Sequence, residues 1–259
     1  MMKKEEHQNN ILQKMWKMRI NGDFCDTHIV VKDNHIKCHK NVLAASSEYF
    51  QKMFEHSFNE NKESVCKIVL NKDDDYNFSL EVVEVVLHYI YLGRIPEEVD
   101  LKMIQDVFIL SHMWLLTNIQ DNCTNIMQKN ITIQNFGALL KFAAFYNNVC
   151  LEEAVIDFIR RNLPHIYKSE EFPEIDKEQF FKILEDPHIL CHENCLWLEA
   201  TKYWAQNSET ELFSALARIP VNYLSQDDVK NLLCIKIVNK SNPLLKKKTL
   251  SFYNSWLLR

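Results

Sequence analysis

Glycine is scarce in this chain, and that scarcity limits the folds open to it. The 259 residues include 3 glycines, at positions 22, 93 and 137, whereas average usage of about 7% would give roughly 18. A phosphate-binding loop needs glycines clustered at a strand-to-helix turn, and the Gly-x-Ser-x-Gly turn of the common hydrolases needs two in one motif. The three glycines here are isolated. Composition therefore predicts a mostly helical chain with few tight turns, and it argues against glycine-rich β-propeller repeats.

Charge and hydropathy argue against several classes of protein. A net charge of -5 and a pI near 6.1 do not suit a general nucleic-acid binder, which needs a basic face. No run approaches 18 uninterrupted apolar residues, so no membrane span is predicted, and the amino terminus lacks the apolar core of a secretory signal. We therefore expect a cytoplasmic protein. The run Lys246-Lys247-Lys248 is either a nuclear signal or a solvated tail.

The cysteines fit the same compartment. The cysteines are scattered along a chain that is long enough to fold without disulfide bonds, and most have apolar neighbours. We expect reduced, structural thiols. The eight are Cys25, Cys38, Cys66, Cys123, Cys150, Cys191, Cys195 and Cys234.

Residues 24 to 54 are the most informative stretch. A β-branched strand from Thr27 to Val31 turns at Asp33-Asn34, and a second strand from His35 to His39 runs into an apolar helix. A Cys-Asp pair precedes the first strand, His-Lys precedes Val-Leu-Ala-Ala-Ser-Ser, and Tyr-Phe and Met-Phe follow. In this order the residues resemble the core signature of the BTB (POZ) family. Because BTB domains are dimerising adaptors, the resemblance implies binding surfaces and no catalytic residues.

A helix is predicted from residue 10 to 21, before the first strand. Its apolar stripe follows the 3.6-residue period and needs a covering surface. The stripe comprises Ile11, Leu12, Met15, Trp16 and Arg19. The stripe either packs on its own domain or, as the resemblance implies, packs against a second copy in a two-fold dimer. The resemblance also places an acid and a base, Asp26 and Lys40, close together at that interface, and a solvated pair is the alternative.

Four further elements complete the first domain. A third strand is predicted from Ser64 to Leu70, and an apolar helix from Phe78 to Leu92 follows it. The segment after that helix resembles the Tyr-Thr-Gly-Lys segment of BTB domains, and Gly93 suits the left-handed position that ends a helix. Two helices follow, from about Met103 to Leu115 and from Thr117 to Gln128.

The loop after Phe54 holds the predicted partner contact. BTB adaptors that bind cullin-3 carry a hydrophobic-x-Glu triplet at this place, and Phe58 and Glu60 match it. Phe54 and His56, which precede the triplet, are also similar to the family. An exposed aromatic side chain beside a carboxylate suits an interface, because the aromatic ring anchors the partner and the charge fixes the partner's orientation. The alternative is that Phe58 folds back into its own domain.

Trp114 is the candidate for the other half of that surface. Together with His112 and Leu115 it ends the helix that the family uses to contact cullin-3. A tryptophan could equally fill the core at this point, and the sequence leaves both readings open.

The second half of the chain shows no strand-like alternation of apolar and polar residues, and its pattern predicts amphipathic helices. The helices are expected to break near Asn148, Pro164, Pro173, Pro187 and Pro220. Residues 142–147 are predicted to open a helical hairpin. The Ala-Thr-Lys-Tyr-Trp helix end at residues 200–204, and Arg-Ile-Pro at 218–220 before Tyr-Leu-Ser, resemble the BACK domain of kelch-like proteins.

Ligands for zinc also occur in this half. His188, Cys191, His192 and Cys195 have suitable side chains and spacing for zinc. However, Pro187 looks like a helix start, and on a helix the adjacent Cys191 and His192 would point different ways. No metal and no cofactor are predicted.

The predicted fold class is α+β: a dimerising BTB/POZ domain with a short three-stranded sheet, followed by an all-α BACK domain. The predicted limits are 1–23 for the tail and dimerisation helix, 24–128 for BTB/POZ, and 129–259 for BACK with a tail. The resemblance implies a substrate-side adaptor of a cullin-3 RING ubiquitin ligase that is not itself an enzyme. The implied partners are cullin-3, a second copy and an unidentified substrate protein, with no nucleic acid and no membrane.

Two alternatives remain at this point. The first is a non-ligase oligomerisation scaffold, or a competitor that occupies cullin-3 without presenting substrate. The second concerns how substrate is captured. Kelch-like proteins carry a propeller after BACK, whereas this sequence stops at Arg259. The chain is then expected to be a fragment or isoform, or to capture substrate through its BACK helices or tail.

Overall fold

A computed structural model describes residues 2–57, 66–70, 77–185, 196–205 and 208–216. The chain divides into two compact units, Met1–Asn130 and Ile131–Arg259. All the described strands lie in the first unit, and helices make up most of the rest. The predicted α+β class, with a small sheet and a helical second part, is confirmed. The predicted domain limits stay predictions. Among the described helices, none is both long enough and apolar enough to cross a bilayer.

A three-stranded sheet forms the centre of the first unit. Its strands are β1 (Thr27–Val31), β2 (Asn34–Cys38) and β3 (Cys66–Leu70), in the order β2-β1-β3. β1 runs antiparallel to β2 and parallel to β3. Ile29 pairs with Ile36 on one side and Ile68 on the other, and all three side chains are buried. The β-branched stretch that was predicted as a strand therefore supplies the inner strand of the sheet.

The second strand begins one residue earlier than predicted. The turn lies at Lys32 and Asp33, with Lys32 in the left-handed region at φ 55°, so Asn34 already pairs with Val31. His39 is consequently outside the strand and occupies the residue before the next helix. That single-residue shift gives His39 a different role, described below.

Six helices surround this sheet in the first unit. They are α1 (Met2–Asn21), α2 (Lys40–Ser46), α3 (Glu48–Ser57), α4 (Leu80–Leu92), α5 (Leu101–Met113) and α6 (Thr117–Lys129). The first helix starts earlier than the predicted residue 10, and α4 starts two residues later than the predicted Phe78.

Caps explain the limits of these helices. α4 begins at Leu80 because the Ser79 side chain accepts a hydrogen bond from the Val82 amide. α5 begins at Leu101 because Asp100 accepts one from the Met103 amide at 2.7 Å. Gly93 ends α4 with φ 72°, so the predicted left-handed glycine is confirmed.

The described residues of the second unit form helices joined by turns. Its elements are α7 (Phe136–Phe145), α8 (Val149–Ile166), a 3-10 turn (Phe172–Glu174), α9 (Lys177–Leu184), α10 (Leu196–Trp204) and α11 (Glu209–Leu216). Asn148 separates α7 from α8 by accepting a hydrogen bond from the Leu151 amide, and Trp204 ends α10, as predicted. The Trp204 ring stacks on Phe180 with centroids 4.1 Å apart, and its indole N–H donates to the Ile175 carbonyl.

The helix that was predicted to break near Pro164 ends two residues after it. α8 continues through this proline to Ile166. A proline costs a helix one backbone hydrogen bond and crowds the carbonyl four residues earlier, and here only two helical residues follow it. Other predicted features lie outside the described residues: Pro187, Pro220, the Arg-Ile-Pro segment, the lysine run and the four zinc candidates.

Candidate protein-interaction site

The first helix divides its apolar residues between two surfaces. On one side Trp16 packs edge-on against His88 and Tyr91 of α4, with ring centroids 5.3 and 5.8 Å apart. Arg19 is 3% exposed, lies 4.2 Å above the Trp16 ring and pairs with Glu84. Trp16 and Arg19 therefore pack on their own unit, which is the alternative that the sequence left open for this stripe.

The other side of α1 is uncovered in the single chain. Ile11 and Leu12 are exposed, Met15 is half-buried, and Ile20 is 61% exposed. Met18 is also exposed, although the sequence pattern did not select it. Large apolar side chains gathered on one helix face are typical of an interaction surface. We name this surface, formed by Ile11, Leu12, Met15 and Met18, the α1 face; Ile20, nine positions after Ile11, lies on the opposite side of the helix.

Asp26 and Lys40 contact each other, but not as a pair of charged side chains. The Lys40 backbone amide donates to the Asp26 carboxylate at 2.7 Å, so Asp26 satisfies a free amide at the start of α2. The Lys40 ammonium instead lies 6.0 Å from the centre of the Phe54 ring. Within one chain Asp26 therefore caps α2, and the acid-base pair at a dimer interface stays a prediction.

Tyr91 and His39 form a buried polar cluster beside α1. The Tyr91 hydroxyl accepts from the His39 backbone amide at 3.1 Å and lies 2.8 Å from the ring Nδ1. The ring Nε2 lies 3.0 Å from the Asp23 carbonyl, which can only accept. Nε2 therefore carries the ring proton, and Nδ1 accepts the proton that Tyr91 donates. The cluster ties the end of α1 to the start of α2 and to α4.

Two thiols adjoin this cluster, and both are held in the protonated form. Cys25 Sγ lies 3.7 Å from His39 Nε2, yet burial raises the pKa of the Cys25 thiol. Burial also raises the pKa of Cys38 to about 12. Because the thiolate is the reactive and metal-binding form, the two side chains act as packing groups. Among the described residues, no group of three or more His, Cys, Asp or Glu is arranged to hold a metal ion.

Removing the Tyr91 hydroxyl should destabilise the first unit. Tyr91→Phe leaves the His39 amide and Nδ1 buried without a partner, which typically costs about 1 to 3 kcal/mol. The measurement is the urea midpoint of the full chain followed by fluorescence. Tyr89→Phe is the matched control, because the Tyr89 hydroxyl bonds Asn118 and Asn122 at an exposed site. Equal midpoints for the two variants would show that the cluster contributes nothing specific.

Trp114 lies in the core and not on a contact surface. Its side chain is 2% exposed, its ring lies 5.0 Å from Phe50, and its carbonyl accepts from the Ser47 hydroxyl. The prediction that Trp114 meets a partner is therefore corrected to the alternative reading, a core position. Leu115 takes its place at the surface, since it is 57% exposed with a left-handed φ of 53°.

The remaining residues of the predicted cullin-3 surface lie in three settings: in the core, outside the described residues, and exposed at the end of α5. Phe54 is buried and stacks on Phe50 with centroids 6.3 Å apart. His56 belongs to α3 by its backbone, but its side chain lies outside the described residues, as do Phe58 and Glu60. His112 and Leu115 are exposed where α5 ends. The prediction for Phe58 and Glu60 stays a prediction.

Comparison with known families identifies two domains. Residues 15–131 match the model of the BTB/POZ domain. Residues 137–234 match the model described as BTB And C-terminal Kelch, the BACK domain. The two matches follow one another along the chain in the order that the sequence patterns predicted.

The chain is also similar to curated proteins that are longer than it is. Kelch repeat and BTB domain-containing protein 8 of Xenopus tropicalis is 26% identical over 83% of this chain and 35% of its own length. Kelch repeat and BTB domain-containing protein 3 of Mus musculus is 26% identical over 88% and 37%. The chain thus spans little more than a third of these relatives. The BTB domain of human gigaxonin aligns with 47% of this chain and 91% of its own, at 29% identity and a TM-score of 0.38.

Proposed function

We propose that this chain, which matches a BTB/POZ domain followed by a BACK domain, is a substrate-side adaptor of a cullin-3 RING ubiquitin ligase. The observation that carries the proposal is the pairing of the two domain matches in one chain. An adaptor needs no catalytic residue. It supplies proximity, which raises the effective concentration of a bound target near the enzyme that modifies it.

The cullin contact is assigned to the end of α5 and the loop after α3. Leu115 and His112 offer exposed groups at the first place, and the Phe58 and Glu60 triplet is predicted from the sequence at the second. Phe50, Phe54 and Trp114 pack together and connect α3 to the end of α5. These core contacts support a contact surface that draws on both elements.

The decisive test is calorimetric titration of the amino-terminal domain of cullin-3 into the intact chain. The adaptor proposal expects binding heat and co-elution on gel filtration. A chain that gives neither is not a cullin-3 adaptor.

One alternative is a BTB-BACK scaffold that oligomerises without a ligase. The burial of Trp114 favours this alternative, because it removes a predicted cullin-3 contact. Dimerisation without cullin binding is the result that selects the scaffold.

Homodimerisation is the second part of the proposal, and the α1 face supports it. Burying apolar surface stabilises an interface by about 25 cal/mol per Å², and the α1 face offers such surface on one side of a long helix. A two-fold dimer would bring the same face from each copy together. Two cullin contacts would then act on one captured target, so avidity rises without new contacts.

Charged substitutions on the α1 face should break the dimer. Ile11→Glu combined with Leu12→Glu places carboxylates where the proposal requires a desolvated apolar contact, so the dissociation constant should rise at least about 100-fold. Light scattering on gel filtration at micromolar concentration measures the mass, with a monomer of 30.8 kDa. Lys17→Glu, at an exposed position on the side of α1 away from this face, is the control. A monomeric wild type would contradict the dimer.

A further inference from the structure

A cavity in the first unit is formed by none of the residues of the proposed cullin and dimer contacts. It has a volume of about 350 Å³ and lies between the end of α1, strand β2 and the start of α4. We name it the α1–β2 cavity. No residue of the α1 face, of α3 or of α5 lines it, so it does not depend on the two proposed contacts. Its lining includes Arg19, Ile20, His35, Lys37, Leu80 and Glu84.

The Arg19–Glu84 ion pair lies at this cavity and is closed. The Arg19 side chain is 2% exposed, and its Nη2 lies 2.5 Å from Glu84 Oε2. Its Nη1 lies 3.4 Å from Glu84 Oε1. Arg19 Nε, in contrast, is buried and has no hydrogen-bond partner among the described residues. Because a guanidinium has five N–H donors and no acceptor, the pair leaves the cavity with more donors than acceptors.

Strand β2 adds two donors to the cavity. Lys37 and His35 are both exposed and lie two positions apart, so their side chains leave the same face of the sheet. Among the described residues, no carboxylate lies within ion-pairing distance of Lys37. The Lys37 side chain lies across Gly22, where a Cβ atom would be 2.8 Å from both Cδ and Nζ. An ammonium held in this way loses less rotamer freedom when it binds an anion.

The α1–β2 cavity carries a net positive charge. The charges of Arg19 and Glu84 cancel within their pair, so the Lys37 ammonium is left over. His35 adds an imidazole N–H, which is a donor in either tautomer. Glu81, the carboxylate in the first turn of α4, does not line the cavity. A ligand that matches these groups is negatively charged and offers acceptor oxygens.

A phosphate suits this cavity better than a carboxylate. Carboxylates are bound best by two parallel N–H groups of an arginine, and the fork of Arg19 already holds Glu84. A lysine binds phosphate as a point charge, and the phosphate of a modified side chain carries nearly two negative charges at neutral pH. The rim also has an apolar part, because Ile20 is 61% exposed and Leu80 is half-buried.

We propose that the α1–β2 cavity binds a phosphorylated serine or threonine in an extended segment of a partner protein, with an apolar residue two positions away. Side chains two positions apart in an extended chain point to the same side. The phosphate accepts from Lys37 and His35 while the apolar side chain packs on Ile20 and Leu80. The net charge of -5 argues against the phosphates of a nucleic acid as the occupant. This inference does not rest on the adaptor function.

The test is fluorescence anisotropy on the full chain with a fluorescein-labelled peptide, Ala-Leu-Thr-phosphoserine-Thr-Leu-Ala. This peptide should bind at least about tenfold more tightly than the same peptide with unmodified serine, since the charged contacts are lost without the phosphate. Lys37→Gln removes the charge and keeps most of the stem, so it should weaken the phosphopeptide about tenfold. Ile20→Ser should weaken it by a smaller factor. Lys102→Gln, the same change at an exposed lysine of α5, should leave the affinity unchanged.

Three results would overturn the proposal. Equal affinity for the phosphorylated and unmodified peptides would show that the phosphate is not recognised. Wild-type affinity in both Lys37→Gln and His35→Ala would place the binding elsewhere on the chain. Inorganic phosphate that binds as tightly as the phosphopeptide would make the cavity an ion site and not a site for a protein segment. A chain that binds the phosphopeptide but not cullin-3 keeps this inference while the adaptor proposal fails.

Discussion

Replacing Trp114 with alanine should lower the free energy of unfolding of the first unit by about 3 to 5 kcal/mol. The side chain is almost fully buried and contacts Phe50, which in turn stacks on Phe54. Truncation removes the transfer free energy of the indole and leaves a cavity between α3 and the end of α5. The midpoint of urea unfolding, followed by circular dichroism on the full chain, measures the loss.

Leu115→Ala is the matched control, because this neighbouring side chain is 57% exposed. A surface truncation away from special contacts changes stability by less than about 0.5 kcal/mol. The two variants also separate stability from binding: Leu115→Ala should weaken cullin-3 and Trp114→Ala should act through folding. If Trp114→Ala kept its urea midpoint and lost only cullin affinity, the core position would be refuted.

Much of the fold follows from short-range patterns in the sequence. The β-branched run at Thr27–Val31 forms the central strand because both of its neighbours pair along it. Gly93 ends α4 because a left-handed residue is needed there, and glycine adopts that conformation without a Cβ clash. Asn148 separates two helices by capping the second. Each of these signals depends on a residue and its near neighbours, so the sequence alone contains it.

Side-chain direction was harder to predict. The pattern on α1 gave one apolar stripe, yet Trp16 and Arg19 pack on α4 while Ile11 and Leu12 remain exposed. Which part of a stripe turns inward depends on where α4 lies, and that is a long-range property. Trp114 illustrates the same point, since its burial depends on Phe50, which is distant in sequence. An apolar residue at a helix end fits a core and an interface equally well until its neighbours are known.

The acid and base at Asp26 and Lys40 show a second kind of limit. Opposite charges at two positions predict an ion pair, whereas the structure uses the Lys40 amide and the Asp26 carboxylate as a helix cap. The first amides of a helix lack intrahelical partners, so a nearby carboxylate can satisfy one whatever side chain stands at that position. The charges of the two side chains therefore do not predict this contact, because its donor is the Lys40 backbone amide.

Replacing Phe58 with alanine should weaken the binding of cullin-3 by about 30- to 1,000-fold. Truncating a buried aromatic anchor at an interface typically costs about 2 to 4 kcal/mol, and each 1.4 kcal/mol is a factor of ten in affinity. Glu60→Ala should cost less if the carboxylate lies at the rim, and more if it accepts a backbone hydrogen bond. Calorimetric titration of the amino-terminal domain of cullin-3 into each variant measures the change.

Two controls make this result specific to the loop after α3. Phe145→Ala makes the same truncation at an exposed aromatic of the second unit, and it should leave cullin affinity unchanged. Light scattering should show the wild-type mass for Phe58→Ala, because the α1 face is untouched, and an unchanged melting temperature confirms folding. Equal affinity for wild type and Phe58→Ala would retain a ligase that uses another anchor, with Leu115 and His112 at the end of α5 as the next positions to replace.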